Sequence, residues 1–242
     1  MKFRVMSFNL QSGLGRDGVW DWSRSAAEIA RIAPDVAALQ EVAVNRPQYP
    51  GIDYPALAAE RLGMHAVFDR ALTFANGGEY GVAVLSRFPL KKVARLELAL
   101  PPEAEPRIAL AVEVQAPEPF YCICTHFPFQ GEYADDDAGR ATAAAVIDAF
   151  VRENRLAPCV LMGDLNSPPH APALESLRRS WQVLNDRGSG IPTAETGKYG
   201  WMEIDYICAT PEIVCRDFVT DPELGASDHH AVYADLEIGA AR

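Results

Sequence analysis

The most informative stretch of the sequence runs from Val160 to Ser167, where an apolar run ends in Gly163, Asp164 and Asn166. Such a run predicts a buried strand. The strand would carry a carboxylate and a carboxamide to its C-terminal end, the edge at which open α/β sheets place their ligands. A carboxylate accepts protons, and a carboxamide both donates and accepts hydrogen bonds. Because Gly-Asp-x-Asn also describes an ordinary turn, this stretch alone leaves both interpretations open.

Further polar side chains lie at or next to the ends of other apolar runs. They are Asn9, Glu41, His126, Asp205, Asp228 and His229. Since several strands can end at one rim, this pattern predicts a single pocket. Carboxylates and carboxamides without cysteine suit a hard cation such as Mg²⁺ or Mn²⁺. Two histidines near carboxylates suit proton transfer or contact with anionic oxygens. Together these groups predict metal-assisted hydrolysis of a phosphate ester.

The sequence lacks the motifs of several other enzyme classes. The chain has no Gly-x-Ser-x-Gly of a serine hydrolase and no Gly-x-x-x-x-Gly-Lys-Ser/Thr phosphate loop. None of its five cysteines forms a Cys-x-x-Cys pair, which gives a zinc site little support. An odd number of cysteines on apparent core strands predicts reduced, buried thiols.

Composition narrows the class of protein. At 242 residues and 49% hydrophobic, the chain predicts one α/β domain over residues 1–242. A net charge of −11 disfavours strong non-specific binding to nucleic acid. No apolar run approaches the ~20 residues of a membrane span. The first ten residues alternate like a strand and lack the apolar region of a signal peptide, so a cytoplasmic location is expected. Oligomeric state is left open.

Predicted strands outnumber helices, and the helices come singly between groups of strands. This order favours a four-layer α/β/β/α sandwich, in which two mostly antiparallel sheets pack face to face with helices outside. Asp21 or Ser23 is expected to cap a first helix, and Asp53 a second helix that stops at Gly63. Residues 186–200 are predicted to form a loop.

Seven short motifs carry a resemblance to a known family. In chain order they are Phe8–Gln11, Leu39–Glu41, Tyr80–Pro89, Thr125–Phe127, Gly163–Asn166, Ile204–Ile207 and Ser227–His229. They resemble the successive motifs of the endonuclease/exonuclease/phosphatase superfamily, the fold of deoxyribonuclease I. Each motif alone is weak, but seven in the family's order over nearly the whole chain are specific.

The resemblance implies a metal-binding half of the site. Glu41 would bind a divalent metal, Mg²⁺ or Mn²⁺, with Asn9 ordering the metal or the phosphate. Asp228 would bind a metal or support the site. Gln11 stands where related abasic-site nucleases have an acidic residue, which would weaken a second metal position.

The resemblance also implies a half that performs the chemistry. Asp164 would orient or deprotonate the attacking water, and Asn166 would hydrogen-bond the phosphoryl oxygens. His229, held in its tautomer by Asp205, would contact the phosphoryl group or assist proton transfer. His126 would contact phosphate, with Glu79 as its candidate orienting partner.

The sequence therefore predicts a metal-dependent phosphohydrolase, most simply a phosphodiesterase. Three alternatives remain: a DNA or RNA nuclease of the same fold, a sphingomyelinase-like phospholipase, and a catalytically silent binding domain. The substrate could be a small molecule, a lipid headgroup or a nucleic acid. Specificity is expected in loops such as 43–53, 127–135 and 186–200, which the motifs do not cover.

Overall fold

The computed structural model describes residues 1–46, 51–75, 77–98, 104–129, 137–187, 191–197, 200–223 and 225–239. The strands are β1 (Lys2–Asn9), β2 (Val36–Val44), β3 (His65–Thr73), β4 (Glu79–Ser86), β5 (Leu90–Leu98), β6 (Arg107–Val114), β7 (Phe120–His126), β8 (Cys159–Asp164), β9 (Gln182–Val183), β10 (Ala194–Glu195), β11 (Trp201–Met202), β12 (Asp205–Ala209), β13 (Ile213–Thr220) and β14 (Val232–Ile238). The α-helices are α1 (Trp22–Ile32), α2 (Tyr54–Leu62), α3 (Asp137–Glu153) and α4 (Pro172–Leu177). No helix in these ranges is long and apolar enough to cross a membrane.

Two six-stranded sheets form the centre of the fold. The first has the order β13-β14-β1-β2-β4-β3 and the second β5-β6-β7-β8-β12-β9. Neighbouring strands run antiparallel, except that β1 and β2 are parallel and so are β7 and β8. The ends of each parallel pair meet at one edge, which is where the polar residues of the sequence motifs lie.

The layer order follows from which side chains pack together. Val5 and Val36 of the first sheet pack against Leu110 and Val160 of the second in a shared core. The opposite face of the first sheet packs on α1 and α2, through residues such as Ile29. The opposite face of the second sheet packs on α3 and α4. This is the four-layer α/β/β/α sandwich predicted from the sequence.

Both faces of the central strands are buried, which explains their near-continuous apolar sequences. In β1, Phe3 and Val5 face the partner sheet, whereas Met6 and Phe8 face the helices. The five cysteines are free and buried, as predicted.

The predicted helix ends are confirmed. The carboxylate of Asp21 accepts a hydrogen bond from the Ser23 backbone N–H at 2.9 Å, and that of Asp53 accepts from the Ala56 N–H at 3.1 Å. Gly63 ends α2 in the left-handed conformation, at a φ of 63°.

The bounds of the strands between residues 186 and 209 differ more from the prediction. The predicted loop over 186–200 includes β10, which pairs with β11 through Ala194 and Met202. The following residues, 201–209, form two strands, β11 and β12, and not one continuous strand. Two-residue strands carry too little periodicity for a sequence pattern to reveal them.

The connection from β1 to α1 contains glycines at positions 13, 15 and 18, the Gly-x-Gly-x-x-Gly spacing of dinucleotide-binding loops. In such loops the helix N-terminus opens directly onto the ligand phosphate. Here α1 begins four residues after Gly18, and Asp21 already accepts a hydrogen bond from the first turn. The spacing therefore does not create a nucleotide site.

Candidate active site

The predicted site residues meet at one cavity of about 420 Å³. Those that line it are Glu41, His126, Asp164, Asn166, Asp228 and His229. The first sheet supplies some of these side chains and the second sheet supplies the others. The cavity is therefore built across the two sheets, at the edge where β1, β2, β7 and β8 end.

Asp164 and His126 end neighbouring parallel strands and lie directly opposite each other in the register. His126 Nε2 is 3.4 Å from Asp164 Oδ2. The two strands approach closely because residue 163 is glycine: a Cβ there would lie 2.1 Å from the carbonyl oxygen of Thr125. Gly163 thus sets the spacing between the carboxylate and the imidazole.

Asp205 begins β12 opposite Asp164, and its carboxylate Oδ2 is 2.9 Å from His229 Nδ1. His229 Nε2 then lies 3.8 Å from Asp164 Oδ2. Burial alone would lower the pKa of His229, but the carboxylates of Asp205, Asp164 and Asp228 raise it to about 10. These carboxylates favour the imidazolium form of His229 at neutral pH, and the predicted pairing of His229 with Asp205 is present.

Asp164 is the carboxylate that both histidines approach. Burial raises its pKa, and the neighbouring Asp205 raises it further, against the charge of His229, to about 7. Its Oδ1 accepts a hydrogen bond from the Asn166 backbone N–H at 2.9 Å. A buried carboxylate that titrates near neutral pH has the basicity that a general base needs.

Asn9 connects the two halves of the site. This fully buried side chain donates through Nδ2 to Glu41 Oε1 at 3.2 Å and to Asp164 Oδ2 at 3.0 Å. Glu41 belongs to the first sheet, and it lies at an irregularity of the β2–β4 register between Leu39 and Val42, with a φ of 55°. Such a bulge re-aims a side chain, and here Glu41 lines the cavity.

Asp228 is the second carboxylate, besides Glu41, of the metal-binding half of the site. Its Oδ2 accepts a hydrogen bond from Gln11 Nε2 at 2.8 Å, and its Oδ1 lies 3.9 Å from His229 Nε2. The preceding Ser227 donates to the Asn9 carbonyl at 2.7 Å and accepts from the His229 backbone N–H at 3.1 Å. Gln11, the last residue of the first motif, thus positions Asp228.

The acidic groups fit a divalent cation. Burial raises the pKa of Glu41, and the negative charge of Asp228 raises it further, against His229. Burial also raises the pKa of Asp228. Two carboxylates that each disfavour the other's charge are stabilised by a bound cation, and their hard oxygen atoms suit Mg²⁺ or Mn²⁺. Atoms of Asp164, Asp205 and His229 also lie within 4.8 Å of one another, but in that set His229 and Asp205 already bind each other.

Asn166 has a φ of 46°, and its Nδ2 donates to the carbonyl of Phe127 at 2.9 Å. One of its two amide protons is thereby used to hold the side chain at the cavity. The other remains for an oxygen of the substrate.

The expected pairing of Glu79 with His126 is wrong. Glu79 instead binds Arg70 Nη1 at 3.0 Å on the neighbouring strand. The Nδ1 atom of His126 is buried and has no hydrogen-bond partner among the described residues. Burial lowers the pKa of His126 well below its usual value, and the charges of Arg107 and His229 lower it further. His126 is therefore neutral.

Arg107 is a site residue that the sequence did not reveal. It begins β6, is only 7% exposed and lines the cavity beside Glu41 and His126. Its Nε donates to the Phe127 carbonyl at 3.2 Å, and its Nη1 pairs with Glu105. The sequence showed only a basic residue after a proline-rich loop, which is common at exposed strand ends.

The sequence pattern of the endonuclease/exonuclease/phosphatase family matches residues 6–229. The chain belongs to this family. The resemblance inferred from the seven motifs is therefore confirmed, and the family's members are hydrolases that act on phosphate esters. Among curated proteins, none matches this chain.

Solved structures of the family share the fold. An endonuclease/exonuclease/phosphatase from Beutenbergia cavernae is 26% identical, with 99% of this chain and 72% of that chain covered and a TM-score of 0.82. A mannosyl-6-phosphatase from Bacteroides thetaiotaomicron is 17% identical over 97% of this chain and 99% of its own, with a TM-score of 0.76. ANGEL2, a 2′,3′-cyclic phosphatase, is 15% identical over 99% of this chain and 96% of its own, with a TM-score of 0.73.

Proposed function

We propose that this protein is a Mg²⁺- or Mn²⁺-dependent phosphodiesterase in which Asp164 activates the attacking water. The observation that carries the proposal is the convergence on Asp164 Oδ2 of Asn9, His126 and His229, at 3.0, 3.4 and 3.8 Å. A carboxylate with a pKa of about 7 accepts a proton from water near neutral pH. The same contacts fix its orientation.

The remaining residues receive the substrate. His229, charged because Asp205 binds its Nδ1, presents Nε2 to the phosphoryl group and to a leaving oxygen that gains negative charge. Asn166 and neutral His126 provide polar contacts to the other phosphoryl oxygens. Water attacks phosphorus in line with the leaving oxygen as Asp164 takes its proton.

Glu41 and Asp228 would hold the metal, with Asn9 and Gln11 orienting these two carboxylates. When bound, the divalent cation polarises a phosphoryl oxygen and offsets the charge that develops there.

The charge left at the cavity favours a diester. His229 offsets Asp205, Glu105 offsets Arg107, and a divalent cation would offset Glu41 and Asp228, which leaves the carboxylate of Asp164. A diester carries one negative charge and a monoester close to two, so Asp164 repels the monoester more strongly. Monoester hydrolysis remains a second candidate because the mannosyl-6-phosphatase shares the fold.

The two other rivals lack support in the sequence. A nuclease acting on long polyanions would need basic surface that a net charge of −11 makes scarce. A sphingomyelinase-like enzyme would need an apolar membrane-docking hairpin, for which the sequence shows no candidate.

Hydrolysis of bis-p-nitrophenyl phosphate and p-nitrophenyl phosphate, with Mg²⁺, Mn²⁺ or EDTA, tests the proposal. We expect metal-dependent turnover of the diester that exceeds turnover of the monoester. Asp164→Asn should abolish it, whereas the matched control Asp217→Asn, on the exposed side of β13, should not. Faster turnover of the monoester would select the second candidate. Loss of both activities with any metal, together with no metal-induced rise in Tm, would favour a silent binding domain.

A further inference from the structure

A second cavity of about 350 Å³ adjoins the phosphate pocket. It shares three lining residues with the phosphate pocket, namely Glu41, Arg107 and Phe129. We refer to this second cavity as the side recess. Its other walls include Arg46, Phe74 and Tyr80. A group attached to a phosphate at the centre can therefore reach the side recess without crossing the protein.

Arg46 is a cation without an anionic partner in the described part of the chain. Its Nη1 donates to the hydroxyl of Ser12 at 3.3 Å, and its guanidinium lies 4.2 Å from the ring centroid of Phe74. Its Nη2 has no hydrogen-bond partner among the described residues and, unlike Nε, is not closed off from solvent. Nη2 is therefore the donor that an acceptor in the recess can reach.

Several exposed arginines of the described chain also make no ion pair, but its other half-buried arginines all pair with carboxylates. Arg4 binds both carboxylate oxygens of Asp235, and Arg178 binds both oxygens of Asp186. With 33 acidic against 22 basic residues, the chain has carboxylates to spare. An arginine left unpaired in a recess of such an acidic protein is therefore available to an anion from outside.

Arg107 adds a second cationic group to the same recess. Its Nε and Nη1 are occupied by the Phe127 carbonyl and by Glu105, and no described residue hydrogen-bonds its Nη2. Because Glu105 neutralises part of its charge, Arg46 is the stronger candidate for a new anion.

The aromatic side chains indicate what the anion is attached to. Phe74, Tyr80 and Phe129 line the recess, and Phe129 is 41% exposed at the boundary with the phosphate pocket. Aromatic walls pack against sugar or base rings. A volume of about 350 Å³ accommodates one such ring system with its substituents.

We propose that the side recess binds the alcohol part of the substrate, and that this part is a ring carrying a second phosphate group, which Arg46 binds. A sugar bisphosphate and a nucleoside bisphosphate share this chemistry. The proposal rests on the proposed function, because the first phosphate must occupy the adjoining pocket.

Binding of product-like ligands tests the recess directly. Isothermal titration calorimetry with Mg²⁺ would compare thymidine 5′-phosphate with thymidine 3′,5′-bisphosphate, and glucose 6-phosphate with glucose 1,6-bisphosphate. In wild type the added phosphate should tighten Kd at least tenfold in one of the two pairs, which identifies the ring. In Arg46→Gln that gain should shrink to less than twofold.

Two control variants sharpen this measurement. Arg46→Lys keeps the charge but not the planar fork, and should retain an intermediate gain. Arg152→Gln removes an exposed arginine of α3, far from the site, and should keep the full gain. The recess proposal is overturned if neither pair shows the gain in wild type, or if Arg46→Gln leaves the gain unchanged.

The same titrations on Asp164→Asn separate this proposal from the proposed function. That variant should hydrolyse nothing and still show the gain from the second phosphate. If wild type shows the gain but hydrolyses no ester, the recess stands and the phosphodiesterase proposal fails. If wild type hydrolyses diesters without the gain, the reverse holds.

Discussion

The two buried histidines of the site contact the same atom, Asp164 Oδ2, yet they differ in charge. His229 precedes β14, and its second nitrogen binds Asp205 at 2.9 Å. His126 ends β7, and its second nitrogen has no partner among the described residues. The pKa of His229 is raised to about 10, whereas burial lowers that of His126 well below its usual value.

This difference shows that the shared contact with Asp164 does not by itself set the charge of a ring. The carboxylates of Asp205, Asp164 and Asp228 raise the pKa of His229 against its burial, whereas burial, with the charges of Arg107 and His229, lowers the pKa of His126. One site thereby holds a charged and a neutral imidazole within 4 Å of the same oxygen. The charged ring suits developing negative charge, and the neutral ring can accept as well as donate a hydrogen bond.

Removing the shared carboxylate should have the largest effect. Asp164→Asn should lower kcat about 10⁴-fold, the upper range for a general base. Burial raises the folded-state pKa of Asp164 from 3.8 to about 7. The unfolded chain therefore ionises first, and this group costs stability as pH rises from about 4 to 7.

The stability of the same variant checks that interpretation. In EDTA at pH 8, where the wild-type carboxylate is ionised, Asp164→Asn should melt at the same temperature as wild type or higher. A large drop in Tm would instead show that the inactive variant is misfolded. Circular dichroism melts would measure the difference.

Asp205→Asn should reduce the difference in pKa between His229 and His126. With its main anionic neighbour gone, the pKa of His229 should fall, and kcat should drop about 10–100-fold. In wild type we expect activity to fall below pH ~7, as Asp164 takes up a proton, and above pH ~10, as His229 loses one. In the variant, the fall of activity at alkaline pH should begin at a lower pH than in wild type. If it begins at the same pH, His229 is not the group responsible for that fall.

His126→Gln should have a smaller effect, about tenfold or less in kcat/KM, because a neutral hydrogen bond contributes only about 1 kcal/mol. Gln retains a donor and an acceptor, and the pH profile should keep both limbs. Steady-state kinetics across pH would show this. Loss of one limb would mean that His126, and not His229, titrates in the reaction.

Metal binding should lower the pKa of His229 more than that of His126. We expect this to be the smallest of the effects. A cation held by Glu41 and Asp228 would offset negative charge that raises the pKa of His229. Histidine ring NMR with and without Mg²⁺ should show this pKa falling by less than about one unit, equivalent to about 1.4 kcal/mol. Glu41→Gln should reduce the shift, whereas Glu113→Gln, which removes an ion pair with Lys91 on the second sheet, should not.

The sequence predicted much of this site because strand ends converge. Asn9, Asp164, Asp205 and His229 follow or begin apolar runs, and the sheet order brings such ends together. Glu79 was misplaced for a local reason. Glu79 lies opposite Thr73 of β3 and binds Arg70 of that strand, and no sequence pattern reveals this pairing.

Arg107 and the side recess were beyond the reach of the sequence for a different reason. Arg107 is one basic residue after a proline-rich loop, and only the packing of β6 beside β7 shows that it is buried at the cavity. Arg46 likewise becomes informative only when its partners are counted in space. Charge patterns along a chain do not show which ion pairs will be missing.

The hydrogen bonds of Asn9 have a consequence for how activity arises during folding. Asn9 belongs to the first sheet and Asp164 to the second, and they meet only when the two sheets have packed. Either sheet could acquire its full strand pairing and still hold only half of the catalytic groups. Recovery of turnover after denaturation would therefore report the docking of the two sheets, because neither sheet alone holds all of these groups.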